Sequence, residues 1–199
     1  IMLPAFFAEV HNYDIAVIGT YIFIAKLIDI ISDPIVGWIN DKKILNRKLL
    51  IILGSVLCSI GLYKLFIQKQ IDYDAYLLVW ISVLYLGWTL FQIPYLSIGY
   101  DLEKDYFLRT KLSANRDLFI LFGLFFSLSF PMFFNFSNAE LLSLIVYIAI
   151  FSGFIGVLVM LNKIPDNRKT NKDVELKSVF KNLKKNNLLV RLMFAWFIN

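Results

Sequence analysis

Chemistry-bearing side chains are scarce in this sequence. Its 199 residues include one cysteine and one histidine. Cys58 lies in an apolar run and can close no internal disulfide, so it reads as a small buried hydrophobe. His11 sits beside Asn12 in a short polar stretch with no set of partners at metal-ligand spacing. A lone histidine also argues against most hydrolase triads. Charge is thin as well: Asp, Glu, Lys and Arg make up 18% of the chain, against about 25% in an ordinary soluble domain. Apolar residues take up the difference. Hydrophobic types account for 59% and aromatics for 17%, and the mean hydropathy is +0.68.

These apolar residues fall into long runs. Five stretches of roughly 20 residues are each long enough to cross a hydrocarbon core of about 30 Å. A soluble protein of this length has no interior that would hide them. Backbone groups in lipid need internal hydrogen bonds, so the spans are expected to be helices. The pattern predicts the end of a first span at 1–10, then spans at 15–38, 49–67, 76–99, 117–137 and 140–161. A polar linker follows at 162–186, and a seventh span begins in 187–199. The sequence starts and stops inside apolar runs, IMLPAFFAEV and NLLVRLMFAWFIN, so it reads as a fragment: six helices of an all-α membrane protein, the first partial, with a seventh just begun. No cleavable signal peptide is visible. In the linker, Leu176, Val179, Phe180 and Leu183 repeat at helical spacing between lysines, with Asp173 as an N-cap. That pattern is an amphipathic helix suited to an inner leaflet, or equally an ordinary solvated linker helix.

Charge orients the spans. The segments DKKILNRK and DLEKDYFLRTKLSANR, the linker with its flanking Lys163, and Arg191 hold 17 of the 20 basic residues, leaving only Lys26, Lys64 and Lys69 elsewhere. The alternate loops, EVHNYD and FNFSNAE, contain none. The positive-inside rule therefore puts the loops after even-numbered spans in the cytoplasm. The net charge of +5 follows from this sorting and calls for no nucleic acid.

Three charged residues break the second span. In YIFIAKLIDIISDPIVGWIN, Lys26, Asp29 and Asp33 lie at i, i+3 and i+7 and share one helix face. Each costs about 2.5–3.5 kcal/mol at mid-span by insertion scales, and such residues usually face a bundle interior or a water-filled path. Two readings stand. Lys26 neutralises Asp29 in a buried pair, or the carboxylates form a cation or proton site. Span four carries a second polar stripe, Thr89 and Gln92, with Pro94 freeing the carbonyl of Leu90. Asp29 and Gln92 both sit about 22–24 Å along their helices at ~1.5 Å per residue, so they are candidates to meet. Arg116, at the expected start of span five, is either a cytoplasmic anchor or a fork reaching into a cavity. Gly54, Cys58 and Gly61 on span three, and Gly123 and Ser127 on span five, mark close-packing faces.

The runs IDIISDPIVGWINDK and GWTLFQIPYLSIGYDLEKDYFLRTKLSANRD together resemble the glycoside–pentoside–hexuronide:cation symporters of the major facilitator superfamily, the melibiose-permease-like family. The resemblance covers nearly the whole chain and implies the N-terminal half of a twelve-helix transporter built from 3+3 repeats. It implies that Asp29, Asp33 and Thr89 bind the coupling cation, Na⁺ or H⁺. It implies that Arg116 contacts sugar, with Gln92 and Lys26 alongside as substrate-site residues. Gly37, Asp41 and Lys42 resemble the superfamily's loop motif G-x-x-x-D-R, which locks the two halves on the cytoplasmic side. Departures are specific. Gln92 replaces a family aspartate, Leu96 a sugar-stacking tryptophan, and Lys42 the usual arginine.

The expected function is cation-coupled symport of a sugar, glycoside or related small solute by alternating access. The chain is expected to work as a monomer in a bacterial inner membrane, contacting only solute and lipid and carrying no cofactor beyond the ion. Leu96 keeps a second cargo open, a lysolipid or other amphiphile. An acyl- or glycosyltransferase would need a catalytic base or metal cluster that is not seen, and a non-transporting relative would tolerate loss of the two aspartates.

Overall fold

A computed structural model of the chain describes residues 4, 6–8, 13–42, 44–68, 75–103, 105–133, 138–164 and 191; the described side chains stop at Ser129 and resume at Glu140. The chain divides into two compact units, Ile1–Asn167 and Arg168–Asn199, and the helices below belong to the first. The expected first span, amphipathic linker helix and seventh span fall almost wholly outside the described residues, as does His11.

Among the described residues the fold is all-α, with five helices long and apolar enough to cross a membrane. They are α1 (Ile15–Asp41), α2 (Arg47–Phe66), α3 (Tyr76–Leu102), α4 (Tyr106–Phe133) and α5 (Asn138–Lys163). Short polar side chains start three of them. Asp14 Oδ1 accepts from the Ala16 amide at 2.9 Å, and Asn46 Oδ1 from the Lys48 amide at 3.2 Å. Asp105 Oδ1 accepts from Phe107 and Leu108 at 2.7 and 3.2 Å. Each satisfies amides that a helix start leaves without partners.

The Asp105 cap corrects the sequence reading. Residues 101–116 look like a charged loop, with the next span opening at Asp117. Instead α3 runs to Leu102 and α4 begins at Tyr106. Arg109 seals the joint from the other side. Its Nη2 donates to the carbonyls of Glu103 and Tyr100 at 3.0 and 3.2 Å, and its Nε to Glu103 at 3.3 Å. Capping on both sides leaves only a short break between two helices. Arg116 therefore sits well inside α4 rather than at a helix start.

The closest helix crossing is α2 on α3. A Cβ on Gly54 would lie 2.5 Å from the Phe91 nitrogen and 2.7 Å from the Gly87 carbonyl oxygen, and one on Gly87 would lie 2.7 Å from the Cys58 nitrogen. Only glycine lets these backbones meet, which is how helices associate where lipid removes the hydrophobic drive. The face predicted from Gly54, Cys58 and Gly61 is thus a packing face. Gly123 on α4 has nothing within 4 Å of its Cβ position, so the expected second packing face around it is not used among the described residues.

α1 lies on the other side of α3. At one end Phe6, Phe7, Ile18, Ala25, Leu65, Leu77 and Ile81 form a buried cluster. At the other, Ile51, Ile98 and Met160 close on Phe91 and Tyr95. α5 is tied to α2 by Ser143 Oγ donating to the Phe66 carbonyl at 3.2 Å and Lys48 Nζ to the Leu161 carbonyl at 2.8 Å. The outward faces stay apolar: Phe119, Phe122, Phe125 and Phe126 on α4 are all exposed, as a face turned to hydrocarbon must be.

Candidate functional site

Two helix faces meet to form the site. On α1, Lys26, Asp29 and Asp33 follow one stripe, as their spacing predicts. On α3, Tyr85 and Thr89 stand four residues apart on the facing stripe. Thr89 Oγ1 lies 3.0 Å from Asp29 Oδ1 and 2.8 Å from Asp33 Oδ1. Lys26 Nζ donates to the other oxygen of Asp29, Oδ2, at 2.9 Å and stands 4.2 Å over the centre of the Tyr85 ring. Ser32 Oγ donates to the backbone carbonyl of Asp29 at 3.0 Å. Two prolines, Pro34 and Pro94, interrupt the helices within five residues of these contacts, and each removes one backbone donor from its helix.

The electrostatics follow from counting hydrogens. A threonine hydroxyl carries one, so Thr89 donates to one carboxylate at a time. Three oxygens therefore converge on one proton. The other carboxylate faces an oxygen at hydrogen-bond distance with nothing between, which is unfavourable in a site where Thr89 is buried and the Asp29 side chain is only 15% exposed. A proton or a hard monovalent cation in this triangle removes the conflict. Among the described residues no cluster of three or more His, Cys, Asp or Glu offers a metal ion a larger acidic cage.

The remaining predicted site residues lie elsewhere. The Gln92 side chain, inside α3, makes no hydrogen bond among the described residues. The α3 partner of Asp29 is Thr89, nearly one turn earlier, because α1 and α3 meet at that level rather than at the level their equal depths suggest. Arg116 donates through Nε and Nη2 to Oδ1 of its neighbour Asp117, at 3.1 and 2.9 Å. It lines a separate cavity of about 70 Å³ with Tyr95, Leu96, Tyr100, Arg109 and Ser113, and is not brought to the two aspartates. Lys42 folds 5.0 Å over the Trp38 ring, and Asp41 is exposed and accepts a long 3.5 Å bond from Asn40. Nothing lies within 4 Å of the Cβ position of Gly37.

A buried polar network occupies that end of the bundle instead. Arg47 Nη1 donates to Asp101 Oδ2 at 2.6 Å, Arg47 Nε to Asn40 Oδ1 at 3.2 Å, and Asn40 Nδ2 to Ser97 Oγ at 3.1 Å. It joins the end of α1, the start of α2 and the end of α3. The sequence reading counted Arg47 only as one more basic loop residue. The available signal was its type: an arginine among lysines, with Asn40 and Asp101 at matching helix ends.

The site thus consists of intramembrane carboxylates bridged by a hydroxyl, at the contact of two proline-interrupted helices in an all-helical membrane bundle. The family model described as MFS/sugar transport protein matches residues 1–199. The chain belongs to this family of the major facilitator superfamily, whose members are membrane transporters.

Proposed function

We propose that this chain carries the ion site of a cation-coupled transporter, in which Na⁺ or H⁺ binds between Asp29, Asp33 and Thr89 and drives symport of a sugar, glycoside or related solute. One observation carries the reading: the Thr89 hydroxyl lies within 3.0 Å of both carboxylates, an arrangement one proton cannot satisfy. An ion there offsets one of the two negative charges, bridges both carboxylates to the Thr89 oxygen and draws α1 and α3 together. Coupling is the difference in ion affinity between the states open to either side, and it acts reciprocally on solute affinity. The test is uptake by the full-length protein in proteoliposomes with an imposed Na⁺ or H⁺ gradient. Asp29→Asn and Asp33→Asn should each abolish accumulation against a solute gradient while the protein still inserts. Undiminished uphill uptake in both variants would sink the proposal.

A second cargo has one observation in its favour. Leu96 lines the cavity that holds Arg109 and Arg116, with Ile98, Leu102 and Met160. Apolar walls with two guanidinium groups suit an anionic amphiphile such as a lysolipid. Protection of the purified protein against heat by lysolipids but not by sugars would favour this cargo.

A further inference from the structure

The seam between α4 and α5 is open, and its chemistry changes along its length. At the end that the positive-inside rule assigns to the cytoplasm, Arg109, Ser113 and Arg116 of α4 line the cavity of about 70 Å³ with Met160 and Ile164 of α5. Further along, Phe119, Gly123 and Phe126 of α4 line an open groove of about 820 Å³ with Ile145, Ala149 and Ser152 of α5. These six α4 residues follow one another at intervals of three or four, so both hollows lie on one stripe of that helix. Arg109 gives Nε and Nη2 to the carbonyls of Tyr100 and Glu103, and Arg116 gives the same two nitrogens to Asp117. Among the described residues, Nη1 of each arginine and the Ser113 hydroxyl have no hydrogen-bond partner. The Asp117 side chain is 58% exposed, and no acidic residue is among those lining the cavity.

We propose that this seam holds one resident anionic phospholipid of the inner leaflet, its phosphate between Arg109, Ser113 and Arg116 and one acyl chain in the groove toward Phe126. Charge complementarity selects the headgroup, because a basic pocket between spanning helices at the cytoplasmic side suits a lipid phosphate. Length selects the chain. Phe126 lies about 15 Å beyond Arg116 at ~1.5 Å per residue, half of a hydrocarbon core of about 30 Å. A free phosphate would use the guanidinium groups and leave the aromatic groove without a role. Nothing within 4 Å meets a Cβ on Gly123, so the groove has room for a chain at that level. The inference goes beyond the transport reading and does not depend on the ion site. The lipid stays in the seam, unlike an amphiphile carried through the cavity in each cycle.

The experiment titrates the full-length protein, purified in detergent, with dioleoyl phosphatidylglycerol or dioleoyl phosphatidylcholine and reads the bound lipid by native mass spectrometry. The native protein should bind one phosphatidylglycerol at least about fivefold more tightly than phosphatidylcholine, and excess inorganic phosphate should not displace it. Arg116→Gln should remove most of that preference, about fivefold for one basic contact, and leave phosphatidylcholine binding unchanged. Gly123→Leu fills the groove and should weaken both lipids about tenfold or more, the worth of a few buried methylenes, with the preference kept. Equal affinity for the two lipids in the native protein overturns the inference. So does a preference that survives Arg116→Gln, or lipid affinity that Gly123→Leu leaves intact; either variant decides the matter if the other does not fold. Displacement by inorganic phosphate assigns the cavity to a free anion and overturns the lipid. Ion-gradient-driven transfer of labelled phosphatidylglycerol across proteoliposomes makes it cargo and overturns the resident role. Asp29→Asn should leave every one of these lipid results unchanged, so this inference and the ion reading fail separately.

Discussion

Arg47 and Asp101 are 54 residues apart in sequence and joined by a 2.6 Å ion pair across the ends of α2 and α3. Arg47 also holds Asn40 through Nε, so one planar guanidinium fastens three helix ends. A lysine offers a point charge and cannot span both directions. Removing Asp101 leaves a nearly buried guanidinium without its anion, which in a deep site costs several kcal/mol. The Asp101 side chain is 35% exposed, and solvent screening brings the expected loss down to about 1–3 kcal/mol. Asp101→Asn and Arg47→Gln should therefore each lower the melting temperature of the purified protein. The double variant should cost less than the two losses added, because the partners fail together. Strict additivity would show that the pair is not a unit.

The α2–α3 crossing makes a sharper demand. Gly54→Ala places a methyl group within 2.8 Å of backbone atoms of Phe91, Gly87 and Leu90. Backbone cannot rotate aside as a side chain can, so the helices must separate and lose contact along the interface. The expected cost is about 3 kcal/mol or more, the upper range for overpacking a tight core. Gly99→Ala is the matched control. It lies on α3 with nothing within 4 Å of its Cβ position, and the alanine should be neutral or stabilising by up to about 1 kcal/mol through helix propensity. Melting the two variants side by side checks this, and equal losses would contradict it.

The start of α4 depends on one short side chain. Asp105 accepts from two amides, and N-cap replacement by alanine typically costs about 1 kcal/mol. Asp105→Ala should speed hydrogen exchange at Phe107 and Leu108 and fray the first turn, while leaving amides near Leu121 unchanged. Asp105→Asn should keep most of the protection, since its side-chain oxygen still accepts.

Much of this molecule was legible in the sequence, for reasons that differ by residue. Five helices follow from hydrophobic length, because continuous apolar runs of about 20 residues fit a spanning helix, whose backbone bonds are all internal, rather than a barrel strand of about 10. The stripe of Lys26, Asp29 and Asp33 follows from helical spacing and from the expense of charge at that depth. Pairing across helices was harder to read. Counting residues from helix starts matched Asp29 to Gln92, yet it is Thr89, three residues earlier on α3, that meets Asp29, because equal residue counts do not fix where two helices touch. The charged run at 101–116 misled for a related reason. Hydropathy marks where lipid ends, not where a helix ends, and a helix capped by Asp105 continues through polar sequence as far as its hydrogen bonds allow. Arg47 was missed because a count of basic residues sees sign and not geometry.

The hydroxyl of Thr89 offers the most direct test of the ion site, because its shape and its chemistry can be separated. Thr89→Val keeps the volume and removes the hydroxyl that, among the described residues, touches both Asp29 and Asp33. Hydrogen bonds to charged groups contribute about 1.5–3 kcal/mol, so the half-saturating ion concentration should rise about tenfold or more, with a parallel loss of gradient-driven uptake. Thr89→Ser keeps the hydroxyl and drops a methyl group, and should stay close to the native affinity. Thr89 is also buried, so both variants disturb packing, and packing alone would penalise serine at least as much as valine. The order of the two variants therefore decides between roles. Serine near native and valine impaired means that the oxygen binds the ion. Both impaired alike in stability, with ion affinity unchanged, means that Thr89 only packs α3 against α1.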